Sequence, residues 1–430
     1  MKNLSILKMN GLRLPNFNSF DINMPQIRVI LSTFGPLHLL KSAEYLSRHV
    51  DISVIQGWIP RWWNKWFLTI ASKIVGRNLY KAFERRTPNE IRANHSVAIP
   101  EFYLWACKLF KWQSPLKSSY NAAKLYGRFS KKHIKNADLL HVRSGSGLNG
   151  AIEQAKKLGM KVIVDHSIAH PAFMDEQLRP EYDKNMEIFN LGLDNPFWEE
   201  ITEDCKKADI LLVNSQFVKD TFVENGYNPN KIKVVYLGVR ADFNGIKTDY
   251  EIHDKTLKIL FTGGFGFRKG AEYILRALAE LDNEGFKYEF TCVGDSASAE
   301  RLIQEIAPKC IKRVNTIPQD ELKSYLANSD VYLFPSLCEG CASSGMEALS
   351  AGLPVIATTE SGLPIENGVD GLIIDSKNTY MIKDALKKVA SDKALREKLG
   401  TNAKLKFQSD FSWDIYAKKV SDIYLSLLQK

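Results

Sequence analysis

Two glutamates lie eight positions apart in FPSLCEGCASSGMEALSAGLPVIAT, residues 334–358. The segment VYLFPS is typical of a buried strand, and GMEALSA of a short helix that ends at Gly352. Glu339 is therefore predicted in the loop beyond the carboxyl end of a strand, where open α/β sheets bind ligands, and Glu347 in the first turn of the helix. The start of such a helix offers N–H groups to an anion. Small residues between the glutamates leave the backbone open to close approach: Gly340, Ala342, Ser343, Ser344 and Gly345.

Each glutamate also has a purely structural interpretation. Ser344-x-x-Glu347 matches a capping box, in which the carboxylate caps its own helix. Glu339 could simply be solvated in its loop. The pair Cys338 and Cys341 overlaps the motif, but a zinc site needs two more Cys or His ligands close by, and a thioredoxin-like site needs the pair to open a helix in a small domain. The sequence offers neither context, so we expect no metal or redox chemistry there.

A second stretch, LFTGGFGFRKGAEYILRAL (260–278), combines a strand, a glycine loop and an amphipathic helix that begins near Gly270. It contains neither the usual dinucleotide fingerprint nor the Gly-Lys-Ser/Thr of a phosphate loop, so neither an oxidoreductase nor a nucleoside triphosphatase follows. Instead, Arg268 and Lys269 stand at the start of a helix. A planar guanidinium and a compact ammonium suit a diphosphate. The alternative is an ordinary surface pair.

Both stretches belong to a chain in which strands and helices alternate, and this alternation predicts parallel sheets with crossover helices. The 430 residues are enough for roughly two domains of about 200 residues each. A polar segment without periodicity, residues 241–255, marks the predicted boundary. We therefore expect an α/β protein with two facing, doubly wound domains. The clearest predicted strands are IRVILST (27–33), DLLHVR (138–143), KVIVD (161–165), DILLVNS (209–215), KILFTG (258–263), YEFTCVG (288–294), VYLFPS (331–336) and PVIAT (354–358).

The last predicted helix, within residues 411–428, carries an apolar stripe at helical spacing. The stripe could pack on the first domain or could close the second domain; the sequence leaves both open. Its members are Phe411, Tyr416, Val420, Ile423, Tyr424 and Leu427.

Three motifs together resemble the retaining glycosyltransferases of family 4, which have the GT-B fold. The first is Glu339-x7-Glu347 followed by Ala-Gly-Leu-Pro-Val-Ile, and the second is the loop from Gly263 through Arg268-Lys269-Gly270. The third is SQFVKDTFVENGYNPNKIKVVYLGVRADF, residues 215–243. They occur in the order expected for the family and span nearly the whole chain.

The resemblance implies a division of labour between the domains. Residues 1–245 would be an acceptor-binding Rossmann-like domain, residues 246–410 a nucleotide-sugar-binding Rossmann-like domain, and residues 411–430 a helix that crosses back to the first domain. It also implies transfer of a hexose or related sugar, with retention, from a nucleotide diphosphate sugar. The acceptor would be a glycan or a lipid-linked glycan in surface polysaccharide biosynthesis. Two rivals stay open, a nucleotide-sugar epimerase of the same fold and a binding protein without activity.

The resemblance also assigns site residues. Glu339 would bind the hydroxyls of the donor sugar and Glu347 those of the ribose, while Arg268 and Lys269 would hold the diphosphate. Gly264 stands where many relatives carry arginine, so the phosphate role falls to Arg268. The chain has no Asp-x-Asp, and we expect neither a metal nor another cofactor. The remaining donor-binding candidates are Gly35, Gly263, Gly340, Ala342, Ser343 and Ser344.

Two histidines are the catalytic candidates of the first domain, beside Glu339 and Lys269 in the second. In VDHSIAHPAFMDEQLRPEY (164–182), His166 is similar to the family's domain-interface histidine near the sugar, and His170 to the histidine of a subgroup. Both could equally be structural partners of backbone groups. The loop that contains Gly35 resembles a glycine loop of the family that approaches the substrates. Glycine is also common at any turn between a strand and a helix.

Positive charge is concentrated in residues 56–136, with 16 Lys/Arg against 3 Asp/Glu, whereas the whole chain carries +9. Aromatic residues among these cations could contact an anionic membrane or nucleic acid, or could simply be the two faces of ordinary helices. Given the resemblance to transferases, we favour an anionic membrane that carries a lipid-linked acceptor, because this positive charge together with tryptophans suits such an interface. Nucleic acid is the weaker option, since no nucleic-acid-binding module accompanies the segment. The sequence lacks an apolar run long enough to span a bilayer and starts without a signal peptide, and its six scattered cysteines fit reduced thiols, so a cytoplasmic protein is expected. The segment holds six of the eight tryptophans: Trp58, Trp62, Trp63, Trp66, Trp105 and Trp112.

Overall fold

Two parallel β-sheets with helices around them form the protein. The computed structural model describes residues 27–35, 37–59, 69–70, 72–73, 88 and 91–429. Within these ranges one sheet has seven strands and the other six, and every strand pair is parallel. The predicted pair of doubly wound α/β units is therefore confirmed.

The first sheet has the spatial order β3-β2-β1-β4-β5-β6-β7. Val29, in a strand with neighbours on both sides, pairs with Ile52 on one side and with Leu139 on the other. Such β-branched and leucine-rich strands suit a parallel sheet that is covered on both faces. In chain order the strands are β1 (Arg28–Thr33), β2 (Asp51–Gln56), β3 (Ala93–Ser96), β4 (Leu139–Arg143), β5 (Lys161–His166), β6 (Ile210–Val213) and β7 (Ile232–Val234).

The helices of the first half frequently begin with proline, which fits the first helical position because its fixed φ is already helical. Ser114 and Asn195 accept hydrogen bonds from backbone N–H groups at two of these helix starts. The helices are α1 (His38–Leu46), α2 (Ile99–Phe110), α3 (Pro115–Ser130), α4 (Ala151–Lys157), α5 (Pro171–Lys184), α6 (Pro196–Lys207) and α7 (Gln216–Glu224).

The second sheet has the spatial order β10-β9-β8-β11-β12-β13. Its strands are β8 (Leu257–Thr262), β9 (Tyr288–Val293), β10 (Ile311–Val314), β11 (Val331–Phe334), β12 (Val355–Thr358) and β13 (Leu372–Ile374). Its helices are α8 (Ala271–Asn283), α9 (Glu300–Ile306), α10 (Gln319–Asn328), α11 (Ser343–Ala351), α12 (Thr379–Ser391) and α13 (Lys393–Asp410).

The terminal helix, α14 (Trp413–Leu428), packs on the first half of the molecule. Tyr416, Val420 and Tyr424 are fully buried there with α1 and with β1. The hydroxyl of Tyr424 lies 2.7 Å from Nδ1 of His141, in the middle of the first sheet. The predicted crossover is confirmed, and the alternative in which this helix closes the second half is wrong.

The two halves also contact each other through α5. Lys184 at its end pairs with Glu272 of α8 at 2.6 Å, and Tyr273 donates to Glu181 at 2.9 Å. The predicted boundary after residue 245 lies in the connection between β7 and β8. Which ligand each half binds stays a prediction at this point.

The basic segment is only partly covered by the structure. Its described portions include α2 and α3, while Trp62, Trp63 and Trp66 lie outside the described residues. A search of the described helices found none with the length and apolar character that a bilayer crossing requires.

Candidate active site

Arg268 and Lys269 lie just beyond the carboxyl end of β8. The chain leaves the strand through Gly263, whose φ of +112° suits glycine, and forms a short 3₁₀ turn over Phe267–Lys269 before α8 begins. An added Cβ at Gly263 would lie 3.5 Å from Nζ of Lys269. The glycine loop and the two cations are therefore one compact unit, as the sequence predicts.

Glu339 joins these two cations. It follows β11 in the loop before α11, and its Oε1 lies 2.7 Å from Nη1 of Arg268 and 3.4 Å from Nζ of Lys269. The same guanidinium donates to the carbonyl of Cys338 at 2.9 Å, which fixes the arginine against the glutamate loop. We call Arg268, Lys269 and Glu339 the cation–glutamate cluster.

The electrostatics of this cluster favour an anion. Burial lowers the pKa of Lys269, and the Glu339 carboxylate opposes that effect. Burial also disfavours the charged form of Arg268, but the same carboxylate raises the pKa of Arg268 overall. Two cations share one carboxylate, so the cluster keeps a net positive charge in a half-buried place. Phosphate oxygens are suitable partners for such a charge.

Glu347 does not form the capping box that we considered. Helix α11 begins at Ser343, after Ala342, whose methyl side chain cannot cap it, and Ser344 instead accepts a hydrogen bond from Tyr332 at 2.8 Å. The helix is two residues longer at its start than predicted, so Glu347 lies past the first turn. Burial raises the pKa of Glu347 to about 7, although Arg240 and Lys41 oppose the shift.

A cavity of about 540 Å³ lies between the two halves of the molecule, and Glu347 and Ser343 line its second-half wall. Lys41 of α1 and Arg240 of the connecting segment line the same space. We call it the cleft cavity. Nζ of Lys41 lies 4.6 Å from the ring centroid of Trp413, the first residue of the terminal helix.

Gly340 is the point where the glutamate loop meets the first half. An added Cβ there would lie 2.0 Å from the carbonyl oxygen of Ser167, so only glycine fits this approach. The hydroxyl of Ser215 donates to the Gly340 carbonyl. The small residues of the motif therefore allow contact between the two halves, a use that the sequence alone did not reveal.

The two candidate histidines occupy different places. His166 is 1% exposed, its Nδ1 lies 2.9 Å from the hydroxyl of Ser144, and burial lowers the pKa of His166 to about 3. His170 caps α5, because its Nδ1 accepts a hydrogen bond from Ala172, and burial lowers the pKa of His170 to about 4. His170 thus has the structural role that we left open. Such low pKa values make both rings weak bases, so neither is well suited to work as a general base.

A second cavity, of about 320 Å³, lies at the carboxyl ends of β1, β4 and β5; we call it the first-half cavity. His166 and Gly35 are among the described residues that line this cavity. His170 lines neither of the two cavities. An added Cβ at Gly35 would meet its nearest neighbour, Leu37, at 3.8 Å. The conformation at Gly35 therefore does not itself require glycine.

The sequence did not reveal three residues that line the cleft cavity. It also did not reveal Asp165, the centre of a buried hydrogen-bond network beside that cavity. Lys41, Arg240 and Trp413 come from three distant parts of the chain, and no local motif marks them. Asp165, at the end of β5, receives hydrogen bonds from His38 at 2.9 Å and from Arg143 at 3.0 Å, and these partners hold the pKa of Asp165 well below its usual range despite burial. The position of Asp165 at a strand end was its one available signal.

Within the described ranges no group of three His, Cys, Asp or Glu side chains is arranged to hold a metal ion. Metal independence stays a prediction. Cys338 and Cys341 are buried free thiols, and burial raises the pKa of Cys338 to about 12. Their environment suits packing rather than thiolate chemistry.

Two sequence models match the chain one after the other. The model described as Glycosyltransferase Family 4 matches residues 79–243, and the model described as Glycosyl transferases group 1 matches residues 242–406. The chain belongs to glycosyltransferase family 4. Membership was predicted from the glutamate motif, the Arg-Lys loop and residues 215–243 together, and it is confirmed.

Individual relatives agree with this family. The amylovoran biosynthesis glycosyltransferase AmsK of Erwinia amylovora is 27% identical over 227 residues, which cover 50% of this chain and 56% of that protein. The chain spans about half the length of the curated relatives that it matches.

Solved structures show the GT-B fold. Sucrose-phosphate synthase from Thermosynechococcus elongatus has a TM-score of 0.68 and 17% identity, covering 94% of this chain and 100% of that one. HepE of Anabaena, solved in complex with UDP-glucose, has a TM-score of 0.60 and 14% identity, covering 93% of this chain and 100% of that one. The predicted fold class is confirmed by these likenesses.

Proposed function

We propose that this protein transfers a sugar, with retention of anomeric configuration, from a nucleotide diphosphate sugar to a glycan or lipid-linked acceptor in polysaccharide biosynthesis. The observation that carries the proposal is the cation–glutamate cluster, in which Glu339 lies within 3.4 Å of both Arg268 and Lys269. The name of AmsK supports the polysaccharide setting, and the UDP-glucose complex of HepE supports the donor class.

The donor would bind mainly to the second half of the molecule. Its diphosphate would face Arg268, Lys269 and the start of α11, where backbone N–H groups and the helix dipole favour an anion. Glu339 would accept hydrogen bonds from the sugar hydroxyls, and Glu347 from the ribose hydroxyls in the cleft cavity.

Bond breaking places negative charge on the departing nucleoside diphosphate. Fixed cations stabilise that charge where it develops, and they need little reorganisation because the loop already holds them. The acceptor hydroxyl would attack the anomeric carbon from the face that the diphosphate leaves, and its proton would pass to an oxygen of the leaving phosphate. No protein base is then needed, which agrees with the low pKa of His166.

We further propose that the protein works in the cytoplasm at the inner face of the membrane, held by its basic segment. Electrostatic attraction to anionic lipids is worth about 1 kcal/mol per Lys or Arg near the surface, so the excess of cations in residues 56–136 is sufficient for reversible attachment. A lipid-linked acceptor would be presented at that surface.

Replacing Lys269 with alanine tests the central assignment. Turnover should fall on the order of 10²-fold or more, because the variant loses one cation that acts on the departing diphosphate. Lys383→Ala is the matched control, since the side chains of Lys383 and Lys269 are 16% and 18% exposed and both pair with glutamates of the second half. Unchanged transfer by Lys269→Ala would remove the assignment.

Titration with UDP, GDP and ADP identifies the base and separates the rival functions. A transferase should bind one of them, and Glu347→Gln should weaken that binding. An epimerase would convert the nucleotide sugar without any acceptor, so product analysis in the absence of acceptor distinguishes it. A binding protein without activity would give no product in either assay.

A further inference from the structure

The first-half cavity is separate from the cleft cavity, yet the two share a wall at Leu37. Leu37 follows the Gly35 loop, at the carboxyl edge of the first sheet. Ligands bound in the two cavities would therefore come close to each other at this loop. With a donor in the cleft cavity, the first-half cavity is placed to hold the group that attacks it.

One polar atom in this cavity lacks a partner. His166 lines the cavity with its ring 1% exposed, and its Nδ1 is engaged with Ser144, whereas its Nε2 is buried without a hydrogen bond to any described residue. A buried polar atom of this kind is costly unless a ligand satisfies it. The ring is neutral, because burial lowers the pKa of His166 to about 3, so a hydroxyl group is a better partner than a charged one.

The walls of the cavity also favour an uncharged ring. Phe34, Phe197 and Trp198 supply aromatic surface. Arg143 is the single charged residue among the described ones that line it, and its guanidinium is already bound to Asp165 and Ser167. A sugar ring matches this combination, since its C–H face packs on aromatic side chains and its hydroxyls hydrogen-bond.

Helix α2 continues from this cavity as an exposed apolar surface. Leu104 of α2 lines the cavity, and other apolar side chains of the helix recur at helical spacing on its exposed face. Such a large exposed apolar patch marks a protein or membrane contact. Lysines accompany it, at Lys108 and Lys111, within the basic segment. The exposed apolar residues are Ile99, Phe102, Trp105, Leu109, Phe110 and, just past the helix, Trp112.

Resting on the proposed function, we propose that the acceptor is a membrane-held amphiphile, a sugar linked to a lipid. Its sugar occupies the first-half cavity against His166 and Trp198, while α2 enters the anionic lipid surface beside its apolar chain. The charge of the basic segment selects a bilayer with anionic lipids over an apolar protein partner. This commits the acceptor to the lipid-linked class.

Vesicle binding tests the role of α2. The triple variant Leu109→Ser, Phe110→Ser, Trp112→Ser removes side chains that are 75%, 59% and 64% exposed. The fraction of this variant bound to phosphatidylcholine–phosphatidylglycerol vesicles should fall more than about tenfold. Each substitution removes apolar surface that the wild type would bury in the lipid. Tyr380→Ser, Leu405→Ser is the matched control on the second half, with side chains 68% and 55% exposed, and should sediment with vesicles as the wild type does.

Binding of simple glycosides tests the cavity. Octyl glycosides of glucose, galactose or mannose, kept below micelle formation, should include one that binds at least about tenfold more tightly than its methyl counterpart. The triple variant should lose this difference. His166→Phe and, as a second variant at the half-buried rim, Trp198→Ala should weaken both glycosides and leave vesicle binding unchanged.

Any one of three results would overturn the proposal. The first is equal affinity for octyl and methyl glycosides, which includes the case in which neither binds. The second is wild-type vesicle binding by the triple variant, and the third is wild-type glycoside binding by both cavity variants. UDP titration of the same variants separates this outcome from failure of the donor assignment. Unchanged UDP affinity beside any of these results rejects the lipid-linked acceptor and leaves the transferase proposal standing.

Discussion

Replacing Gly340 with alanine should force the two halves of the molecule apart. The new Cβ would lie 2.0 Å from the carbonyl oxygen of Ser167, 2.4 Å from its carbon and 2.9 Å from Oδ1 of Asn214. Cβ contacts shorter than 3.0 Å are essentially never observed, and the main obstacle is backbone, so a separation on the order of 1 Å must open. A misplacement of that size between reacting groups can cost about 10²-fold in rate.

The assay compares turnover with nucleotide binding in the same variant. Turnover should fall about 10²-fold, while UDP affinity should change by less than about threefold, because Arg268, Lys269 and Glu347 stay on one half of the molecule. This split between binding and chemistry distinguishes loss of closure from damage to the donor site.

Gly285→Ala is the control for a glycine substitution as such. Gly285 has a φ of +70° at the end of α8, and an added Cβ would find no atom within 4 Å. The control should lose about 1 kcal/mol of stability through backbone strain and keep its turnover. If Gly340→Ala were as active as this control, the contact between the halves would not set the catalytic geometry, and our reasoning would be refuted.

Four further predictions concern the buried side chains of Glu347, Asp165 and Tyr424. Burial raises the pKa of Glu347 from 4.5 to about 7, so the neutral form of this side chain stabilises the fold at low pH. That contribution, on the order of 3 kcal/mol at most, is lost as pH rises from 4.5 through 7. Glu347→Gln should therefore gain thermal stability relative to the wild type between pH 5 and pH 8. UDP affinity should rise more steeply from pH 6 to pH 8 in the wild type than in Glu347→Gln, because only the wild type forms the carboxylate that accepts hydroxyl hydrogen bonds. Asp165→Asn should lower the free energy of unfolding in urea by about 3 to 5 kcal/mol, because it leaves Arg143 buried without its carboxylate, whereas Tyr424→Phe should cost about 1 kcal/mol by removing one hydrogen bond to His141.

The sequence predicts most, but not all, of the strands that are long and rich in Val, Ile and Leu. KVIVD becomes β5, which ends one residue later at His166, and KILFTG becomes β8. The segment VVYLG (234–238), which its composition also predicts as a strand, lies almost wholly beyond β7, which ends at Val234. Strands β2, β3, β10 and β13 were missed; β3, β10 and β13 are short, and sheet pairing rather than local composition holds them.

The candidate site is predictable where its residues are neighbours in the chain. Arg268 and Lys269 share a turn, and Glu339 follows a strand, so local motifs reveal them. Their ion pairs cannot be predicted in this way, because they join loops some 70 residues apart in sequence. The capping role of His170 was equally hidden, since the same residue type in the same loop suits a ligand or a helix cap.

The backbone contact at Gly340 determines how the two halves of the molecule are positioned relative to each other. Gly340 touches Ser167, and the residues beside them in the chain are Glu339 and His166, one from each half. This backbone contact therefore places the loop that carries Glu339 beside the strand end that carries His166. The carbonyl of Gly340 is further held by Ser215, whose hydroxyl also caps α7. Because rigid elements support both sides, closure returns the two reacting partners to one geometry, and this is why a single methyl group at Gly340 should affect turnover far more than nucleotide affinity.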